Sequence, residues 1–334
     1  MKRILYISSI DIFPPNTSGA KVIYNYLQEL SKNNFVILLT VQSNDIKSKK
    51  NIKNAIVLDK LSRKSGIKFL SPYTLIMFIK IVLKYKPQVL IIEFPWFGLY
   101  GVIIKRIFGI PYSIKEQNVE FIRFKRFGKW WWRLLRIYEK FVYVNAQTIY
   151  AISQLDEILL EKEFGLSRKK FIYSPYIPDK TLFKKNLTKI KQIRNLLGLN
   201  KNDQFILFFG PMDYKPNKEA VEIIVNKIAP AILKIKSTTK FIIVGRNPPY
   251  NLNAENIMFT GFVKKIEDYI NACDLVIVPV ITGGGIRTKI LESLACDKIV
   301  ISTKMAAEGI KQEKNLIVVD SWKQMVKEIE KKLD

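Results

Sequence analysis

Short runs of apolar residues recur along the chain, separated by segments whose apolar positions follow the helical period. A short, continuous apolar run is typical of a strand in a parallel sheet that is covered on both faces. The runs of the first half are Ile4–Ser8, Phe35–Val41, Ala55–Leu58, Val89–Phe94, Tyr112–Lys115, Thr148–Ser153 and Lys170–Ser174. The helical segments between them are 20–32, 71–85, 97–108, 129–146 and 154–163.

A second cycle of the same alternation begins after a connecting segment, Pro175–Asp203, which includes the basic run Lys180–Lys191. Its strand candidates are Phe205–Gly210, Phe241–Gly245, Ile257–Thr260, Leu275–Val280, Ile299–Thr303 and Leu316–Val319. Repeated alternation of strand and helix predicts α/β units with parallel sheets. We therefore expect two Rossmann-like domains, residues 1–180 and 181–334, facing each other across a cleft and binding ligands at the carboxyl ends of their strands.

Composition narrows the possible chemistry. The 334 residues, 48% of them hydrophobic, suffice for two domains with separate cores. The absence of histidine excludes a Ser-His-Asp triad, a zinc site of the HExxH type and a histidine general base. The N-terminal apolar run is too short for a signal peptide, and the stretch from residue 70 to 83 is too short to span a bilayer. A cytoplasmic location is expected.

The net charge of +26 is unevenly distributed. Residues 1–200 carry 35 Lys and Arg against 13 Asp and Glu, a net charge of +22. Residues 201–334 carry 20 against 16, a net charge of +4. The basic half is therefore expected to attract a polyanion, which is either nucleic acid or an anionic membrane.

Two glycine-bearing loops follow predicted strands. Gly19 precedes a helix start, where backbone N–H groups and the helix dipole favour a phosphate. The segment Thr282–Glu292 has three consecutive glycines followed by cations and a hydroxyl in the first helical turn. This combination makes an anion-binding nest that suits a diphosphate, although its spacing is not that of a P-loop.

Three side chains of the second loop have separate candidate roles. Arg287 offers a fork of donors to a diphosphate, and Lys289 adds a second cation. Glu292, about one turn further on, suits the two hydroxyl groups of a ribose.

Six segments together carry a family resemblance: Pro14 to Gly19, Gln117–Glu120, Phe209–Asn217, Thr260–Val263, Pro279 to Glu292 and Ala307–Gly309. Over nearly the full length the chain resembles the group 1 (family 4) glycosyltransferases of the GT-B fold. These enzymes transfer a sugar from a nucleotide-sugar with retention at the anomeric carbon. The resemblance implies a UDP- or GDP-sugar donor, no further cofactor, no metal ion, and a glycan or lipid-linked acceptor held by the N-terminal domain.

The resemblance also implies roles for individual residues. Those expected to bind the donor are Gly19, Arg246, Gly284, Gly285, Ile286, Arg287, Thr288 and Glu292. Those expected to take part in transfer are Glu120, Arg287, Lys289 and Glu292. In a front-face transfer the departing phosphate accepts the proton of the acceptor, so the lack of histidine is compatible with the reaction.

Three positions depart from the family pattern. Gly284 stands where the first glutamate of the E-x7-E pattern is expected, Pro211 lies where relatives carry an Arg…Lys pair, and Gln117 replaces a common histidine. These departures leave open a non-catalytic protein of the same fold, acting as a binding or scaffold module. The basic first half leaves open a nucleic-acid-binding protein.

The segment Phe121–Tyr143 contains seven Lys and Arg, nine aromatic residues and one acidic residue. At 100° per residue a basic stripe forms, with Trp132 and Tyr143 beside it: Lys129, Arg133, Arg136 and Lys140. The opposite face is predicted to enter the core: Trp130, Trp131, Leu134, Leu135, Ile137, Tyr138, Phe141 and Val142.

Basic and aromatic residues on one face are typical of a membrane interface, here on the inner side of the membrane near a lipid-linked acceptor. The same residues could stack the bases of single-stranded nucleic acid, or form a solvated basic face.

Overall fold

The computed structural model describes residues 1–62, 69, 71–179, 181–248 and 255–333. The chain divides into two compact units, Met1–Tyr176 and Ile177–Asp334. The division falls just before the boundary expected after residue 180. That residue, which also begins the basic run Lys180–Lys191, lies outside the described residues, as does residue 70.

The described part of the first unit contains one parallel sheet. Its strands are β1 (Lys2–Ser8), β2 (Asn34–Val41), β3 (Ala55–Leu61), β4 (Val89–Glu93), β5 (Tyr112–Lys115), β6 (Thr148–Ala151) and β7 (Phe171–Tyr173). The helices are α1 (Ser18–Asn33), α2 (Ile46–Lys50), α3 (Pro72–Tyr85), α4 (Gly98–Phe108), α5 (Glu120–Arg126), α6 (Trp132–Asn145) and α7 (Gln154–Phe164). The strand order is β3-β2-β1-β4-β5-β6-β7.

Alternate side chains of β1 show why its sheet is covered on both faces. Leu5 and Ile7 belong to the apolar cluster that contains residues of α3, α4, α6 and α7. Ile4 and Tyr6 point to the other face, where they join residues of α1. Because both faces are covered, the central strands are nearly continuous apolar runs, which made them visible in the sequence.

The described part of the second unit repeats this architecture. Its strands are β8 (Gln204–Phe209), β9 (Thr239–Val244), β10 (Ile257–Gly261), β11 (Leu275–Val278), β12 (Ile299–Thr303) and β13 (Leu316–Val319). The helices are α8 (Leu187–Leu196), α9 (Lys215–Ile223), α10 (Ala229–Ile235), α11 (Ile266–Ala272), α12 (Thr288–Ala295), α13 (Lys304–Ala307) and α14 (Trp322–Leu333), with a π-helical turn at Ile224–Ile228. The strand order is β10-β9-β8-β11-β12-β13.

Each sheet has one point at which the strand order reverses. In the first unit this point lies between β1 and β4, and in the second between β8 and β11. Connections leave these neighbouring strands in opposite directions, which opens a crevice at their carboxyl ends where ligands of such folds bind. The prediction of two Rossmann-like units with parallel sheets is confirmed.

The helix predicted over 129–146 is confirmed as α6, preceded by the separate short helix α5. Its orientation was predicted wrongly. Leu135 and Val142 are buried as expected, but four side chains assigned to the core are exposed: Trp130, Leu134, Ile137 and Phe141. Tyr143, expected beside the basic stripe, is fully buried. The buried face includes a charged residue, Glu139, whose Oε1 accepts a hydrogen bond from the backbone N–H of Phe121.

No helix within the described ranges is both long and apolar enough to cross a membrane.

Candidate active site

The glycine-rich loop of the second unit connects β11 to α12, at the point where the strand order reverses. Gly283 and Gly285 have φ angles of +99° and +76°, in a region that side-chain-bearing residues rarely adopt. A Cβ atom on Gly283 would also lie 3.0 Å from Nη2 of Arg287 and 3.1 Å from Pro216. Glycine is required here by both conformation and close packing.

Arg287 turns its guanidinium back into this loop. Its Nη1 donates hydrogen bonds to the carbonyl oxygens of Gly284 and Gly285, and its Nη2 donates to that of Thr282 at 3.0 Å. The side chain is largely buried. The fork expected to face a diphosphate therefore holds loop carbonyls, and Arg287 fixes the loop conformation in this structure.

Lys289 lies in the first turn of α12 and reaches the end of β8. Its Nζ donates a hydrogen bond to Oδ1 of Asn217 at 2.8 Å and lies 4.2 Å from the centre of the Phe208 ring. Burial, followed by the charge of Arg287, lowers the pKa of Lys289 to about 7, and the carboxylate of Glu292 acts in the opposite direction. Near neutral pH this lysine is therefore divided between its charged and its neutral form.

The end of β8 is closely packed against the end of β9. A Cβ atom on Gly245 would overlap the carbonyl oxygen of Gly210, so the two backbones touch. Gly210 donates a backbone hydrogen bond to Val244 at 2.9 Å. The backbones of neighbouring loops thus meet directly beside the Lys289 ammonium, which would lie 3.0 Å from a Cβ atom on Gly210.

Asn217 is a site residue that the sequence reasoning missed. Its Nδ2 donates to the carbonyl oxygen of Pro211 at 2.8 Å, while its Oδ1 accepts from Lys289. The side chain therefore links the loop after β8 to α12. The available signal was its place in the Lys215-Pro216-Asn217 segment, since a proline in a first helical turn marks the start of α9.

The other predicted donor-binding residues of this unit lie on the same edge of the sheet. Thr288 and Glu292 are buried on α12, and Gly284, Gly285 and Ile286 form the partly exposed loop before it. Arg246 follows β9, and its half-exposed guanidinium pairs with Asp213 at 3.1 Å.

In the first unit, Gly19 lies in the opening turn of α1, which Thr17 caps by accepting from the backbone N–H of Ala20. A Cβ atom on Gly19 would lie 3.2 Å from Oε1 of Gln117. The Nε2 of Gln117 donates to the buried carboxylate of Glu93, which also accepts from Tyr6. Glu93 therefore orients the Gln117 amide with its oxygen toward Gly19.

Glu93 was also missed by the sequence reasoning. Burial raises the pKa of its carboxyl, while the charge of the buried Lys115 opposes the shift. The signal was a glutamate at the end of the otherwise apolar strand β4.

Glu120 lies in the interior of the first unit. Its carboxylate is fully buried and accepts a hydrogen bond from Nη2 of Arg123. Burial raises its pKa, and the neighbouring Glu116 and Glu139 are buried with it. With no exposed surface, Glu120 offers no atom to an acceptor in this structure. It is one member of a buried carboxyl cluster.

The predicted basic stripe is only partly present. Lys129, Arg133 and Lys140 are exposed, and Trp132 lies under the cations of Lys125 and Arg133, at 4.8 and 5.0 Å from its ring centre. Arg136 is turned aside: its Nε lies 3.0 Å from the Glu163 carboxylate. The side chain of Arg136 is half-exposed, and its charge is paired with that carboxylate.

The described residues contain no group of three or more Cys, Asp or Glu side chains arranged to hold a metal ion.

Comparison with known proteins identifies the fold. Over 99% of the chain, sucrose-phosphate synthase from Thermosynechococcus elongatus matches with a TM-score of 0.79 and 16% identity, covering 89% of that protein. HepE from Anabaena, solved with UDP and glucose, matches with a TM-score of 0.76 and 15% identity over 99% of this chain and 89% of that one. WaaG, a glycosyltransferase involved in lipopolysaccharide biosynthesis, matches with a TM-score of 0.71 and 13% identity. The match covers 99% of this chain and 90% of WaaG.

The two units have the fold of the GT-B class. Residues 203–334 match the family model of the group 1 glycosyl transferases. The resemblance seen in the sequence motifs is thereby confirmed. The curated protein sequences gave no match.

Proposed function

We propose that the chain is a retaining, family 4-like hexosyltransferase that moves a sugar from a nucleotide diphosphate sugar to a glycan or lipid-linked acceptor without a metal ion. The observation that carries the proposal is the arrangement between β8 and β11. There the glycine-rich loop, the Lys289 ammonium and the buried Glu292 gather within the region that matches the family. Such crevices bind nucleotides in related folds.

Each part of this arrangement has a proposed task. The backbone N–H groups of the loop Gly284–Thr288 bind the donor diphosphate, in the conformation that Arg287 holds. Lys289 neutralises the phosphate charge beside β8, and Glu292 accepts hydrogen bonds from the ribose. Arg246 lies near the base, and Gly19 is the diphosphate contact of the first unit.

The proposed reaction breaks the bond between the anomeric carbon and the diphosphate oxygen. A bond from that carbon to the acceptor hydroxyl oxygen forms on the same face, and the hydroxyl proton moves to the departing diphosphate. Negative charge develops on the diphosphate, where Lys289 and the loop amides stabilise it. Because the departing diphosphate accepts the proton, the reaction needs no protein base, and a chain without histidine can carry it out.

Two comparisons support the choice of substrates to test first. HepE was solved with UDP, with UDP and glucose, and with UDP-glucose, which favours a UDP-sugar over a GDP-sugar. WaaG acts in lipopolysaccharide biosynthesis, which favours a lipid-linked glycan as acceptor. We propose that the first unit binds this acceptor and that the protein lies on the inner face of the membrane.

A thermal-shift screen against UDP, GDP, ADP and their sugar conjugates tests the donor site. A ligand at about 100 times its dissociation constant adds about 2.7 kcal/mol to the free energy of unfolding. We expect a selective response to UDP compounds that Glu292→Gln reduces strongly. Glu330→Gln, an exposed position on α14 of the same unit, is the matched control and should respond like the wild type.

The circular dichroism spectrum and the unliganded melting temperature of Glu292→Gln show whether the variant folds. If no compound of the panel changes the melting temperature of the wild type, the proposed donor site is contradicted. Donor binding without transfer to any sugar acceptor and without donor hydrolysis would favour the non-catalytic binding module.

A further inference from the structure

An exposed apolar ridge runs along α6 and the turn before it. It consists of Trp130, Leu134, Ile137, Phe141 and Val144, whose exposed fractions lie between 40% and 79%. Their spacing of four, three, four and three residues places them on one narrow stripe of a helix. The ridge faces away from the core, because the opposite side of α6 holds the buried Leu135, Glu139 and Val142.

The neighbouring helices extend the surface. Tyr73, Ile76 and Leu83 on α3 and Ile107 on α4 are also largely exposed. The three helices are linked side by side: Tyr100 of α4 donates to the carbonyl oxygen of Ser71 at 3.1 Å, and Lys105 of α4 donates to that of Asn145 at 2.8 Å. An exposed apolar surface of this extent marks a site of association.

The α7 carboxylate beside α6, Glu163, is paired with Arg136. The exposed charges that α3, α4 and α6 bring to the ridge are all positive. Its exposed cations are Lys80, Lys84, Lys86, Lys105, Arg106, Lys129, Arg133 and Lys140. Within 71–115, a stretch described throughout, the one acidic residue is Glu93, and on α6 it is Glu139; both are fully buried. A second copy of the chain would bring the same positive charge to this surface and be repelled. An anionic lipid surface supplies the complementary charge.

We infer that the α6 ridge inserts into the interfacial layer of an anionic membrane, with Lys129, Arg133 and Lys140 contacting lipid headgroups. The inference rests on the proposed membrane-side acceptor and names the surface that reaches it. It replaces the stripe predicted from sequence, because the apolar side chains lie outward and Arg136 is held by Glu163. Interfacial helices bind through buried apolar area and attraction to anionic lipid together.

Co-sedimentation with vesicles tests the inference. We expect binding to vesicles of equal parts phosphatidylglycerol and phosphatidylcholine, and far weaker binding to phosphatidylcholine alone. Leu134→Ser/Phe141→Ser should weaken binding by more than about tenfold. Arg133→Gln/Lys140→Gln should weaken it about 25-fold, since each basic residue near anionic lipid contributes about a fivefold effect.

Matched controls lie on α8 of the second unit. Leu187→Ser/Leu196→Ser removes two similarly exposed leucines, and Lys189→Gln/Lys191→Gln removes two exposed charges. Both should bind vesicles like the wild type. Equal loss in the controls, equal binding to both vesicle types, or no binding by the wild type would overturn the inference. So would a wild-type dimer that the ridge variant converts to monomer.

The thermal response to UDP separates this inference from the proposed function. A ridge variant that loses vesicle binding and keeps its UDP response supports the membrane surface. If UDP raises the melting temperature of the wild type but the wild type does not bind vesicles, only the membrane inference is overturned. If the wild type binds vesicles but no nucleotide changes its melting temperature, only the proposed function is overturned.

Discussion

Two cations that lie close together in the sequence, Arg287 and Lys289, have different environments in the folded protein. Arg287 donates to carbonyl oxygens of its own loop, whereas Lys289 is held between an amide oxygen and an aromatic ring. Spacing along the chain placed both cations at the helix start that follows the three glycines. It could not predict that the guanidinium turns inward, because side-chain direction depends on carbonyl groups positioned only by the folded loop.

The lowered pKa of Lys289 predicts that the affinity for UDP falls as the pH rises above 7. The free protein then holds a neutral lysine, whereas the bound diphosphate favours the charged form, so binding takes up a proton. Affinity should fall by up to about tenfold per pH unit above 7. UDP itself loses its last phosphate proton near pH 6, below this window.

Calorimetric titration with UDP at pH 7.0, 7.5, 8.0 and 8.5 measures this effect. Lys289→Met should bind more weakly and show no dependence on pH in that range. A flat profile for the wild type would contradict the role given to Lys289.

At the scale of elements, α6 shows how a correct helix can be oriented wrongly from sequence. Strands such as β12 and β13 were predicted with their observed bounds, because a strand covered on both faces needs only a continuous apolar run. Helix α6 carries apolar side chains on two sides. Its hydrophobic pattern is therefore compatible with either side facing the core. A sequence reading assigns Glu139 to solvent, whereas the fold buries it, so the rotation that exposes this charge was wrongly favoured.

The burial of Glu139 predicts that Glu139→Gln stabilises the protein at neutral pH. Burial and the charge of Glu120 raise the pKa of the Glu139 carboxyl well above its ordinary value, and its Oε2 has no hydrogen-bond partner. The folded state therefore binds a proton more tightly than the unfolded chain. The stability that goes with the protonated form is present at low pH and lost as the pH rises through the raised pKa.

Urea unfolding at pH 7 and pH 4 measures the difference. The variant should exceed the wild type by about 1–2 kcal/mol at pH 7 and match it near pH 4. Glu29→Gln, an exposed position on α1, should leave the free energy of unfolding unchanged. A variant less stable than the wild type at pH 7 would show that the charged carboxylate contributes to the fold.

At the scale of the whole molecule, the charge is concentrated in the N-terminal part of the chain. Its +22 attracts polyanions without selecting among them. Attraction to nucleic acid alone would depend on counterion release and fall steeply with salt. Attraction to a membrane would have a second, apolar component in the α6 ridge, which salt does not screen.

We therefore predict that the chain binds single-stranded oligonucleotides at 50 mM salt and loses at least about 10³-fold in affinity by 200 mM. Binding to anionic vesicles should decline less over the same range. Fluorescence anisotropy with a labelled oligonucleotide and vesicle co-sedimentation provide the two series. Oligonucleotide binding that stays tighter than about 10⁻⁶ M at 200 mM salt would support the nucleic-acid-binding alternative.

The direct contact between Gly210 and Gly245 has a consequence for redesign of donor preference. Any side chain at position 245 would overlap a backbone oxygen, and backbone cannot move aside as a flexible side chain does. A library that varies this edge of the sheet should therefore leave the two glycines intact. Substitutions are better placed at the exposed side chains of Arg246, which follows β9, and Phe262, which follows β10.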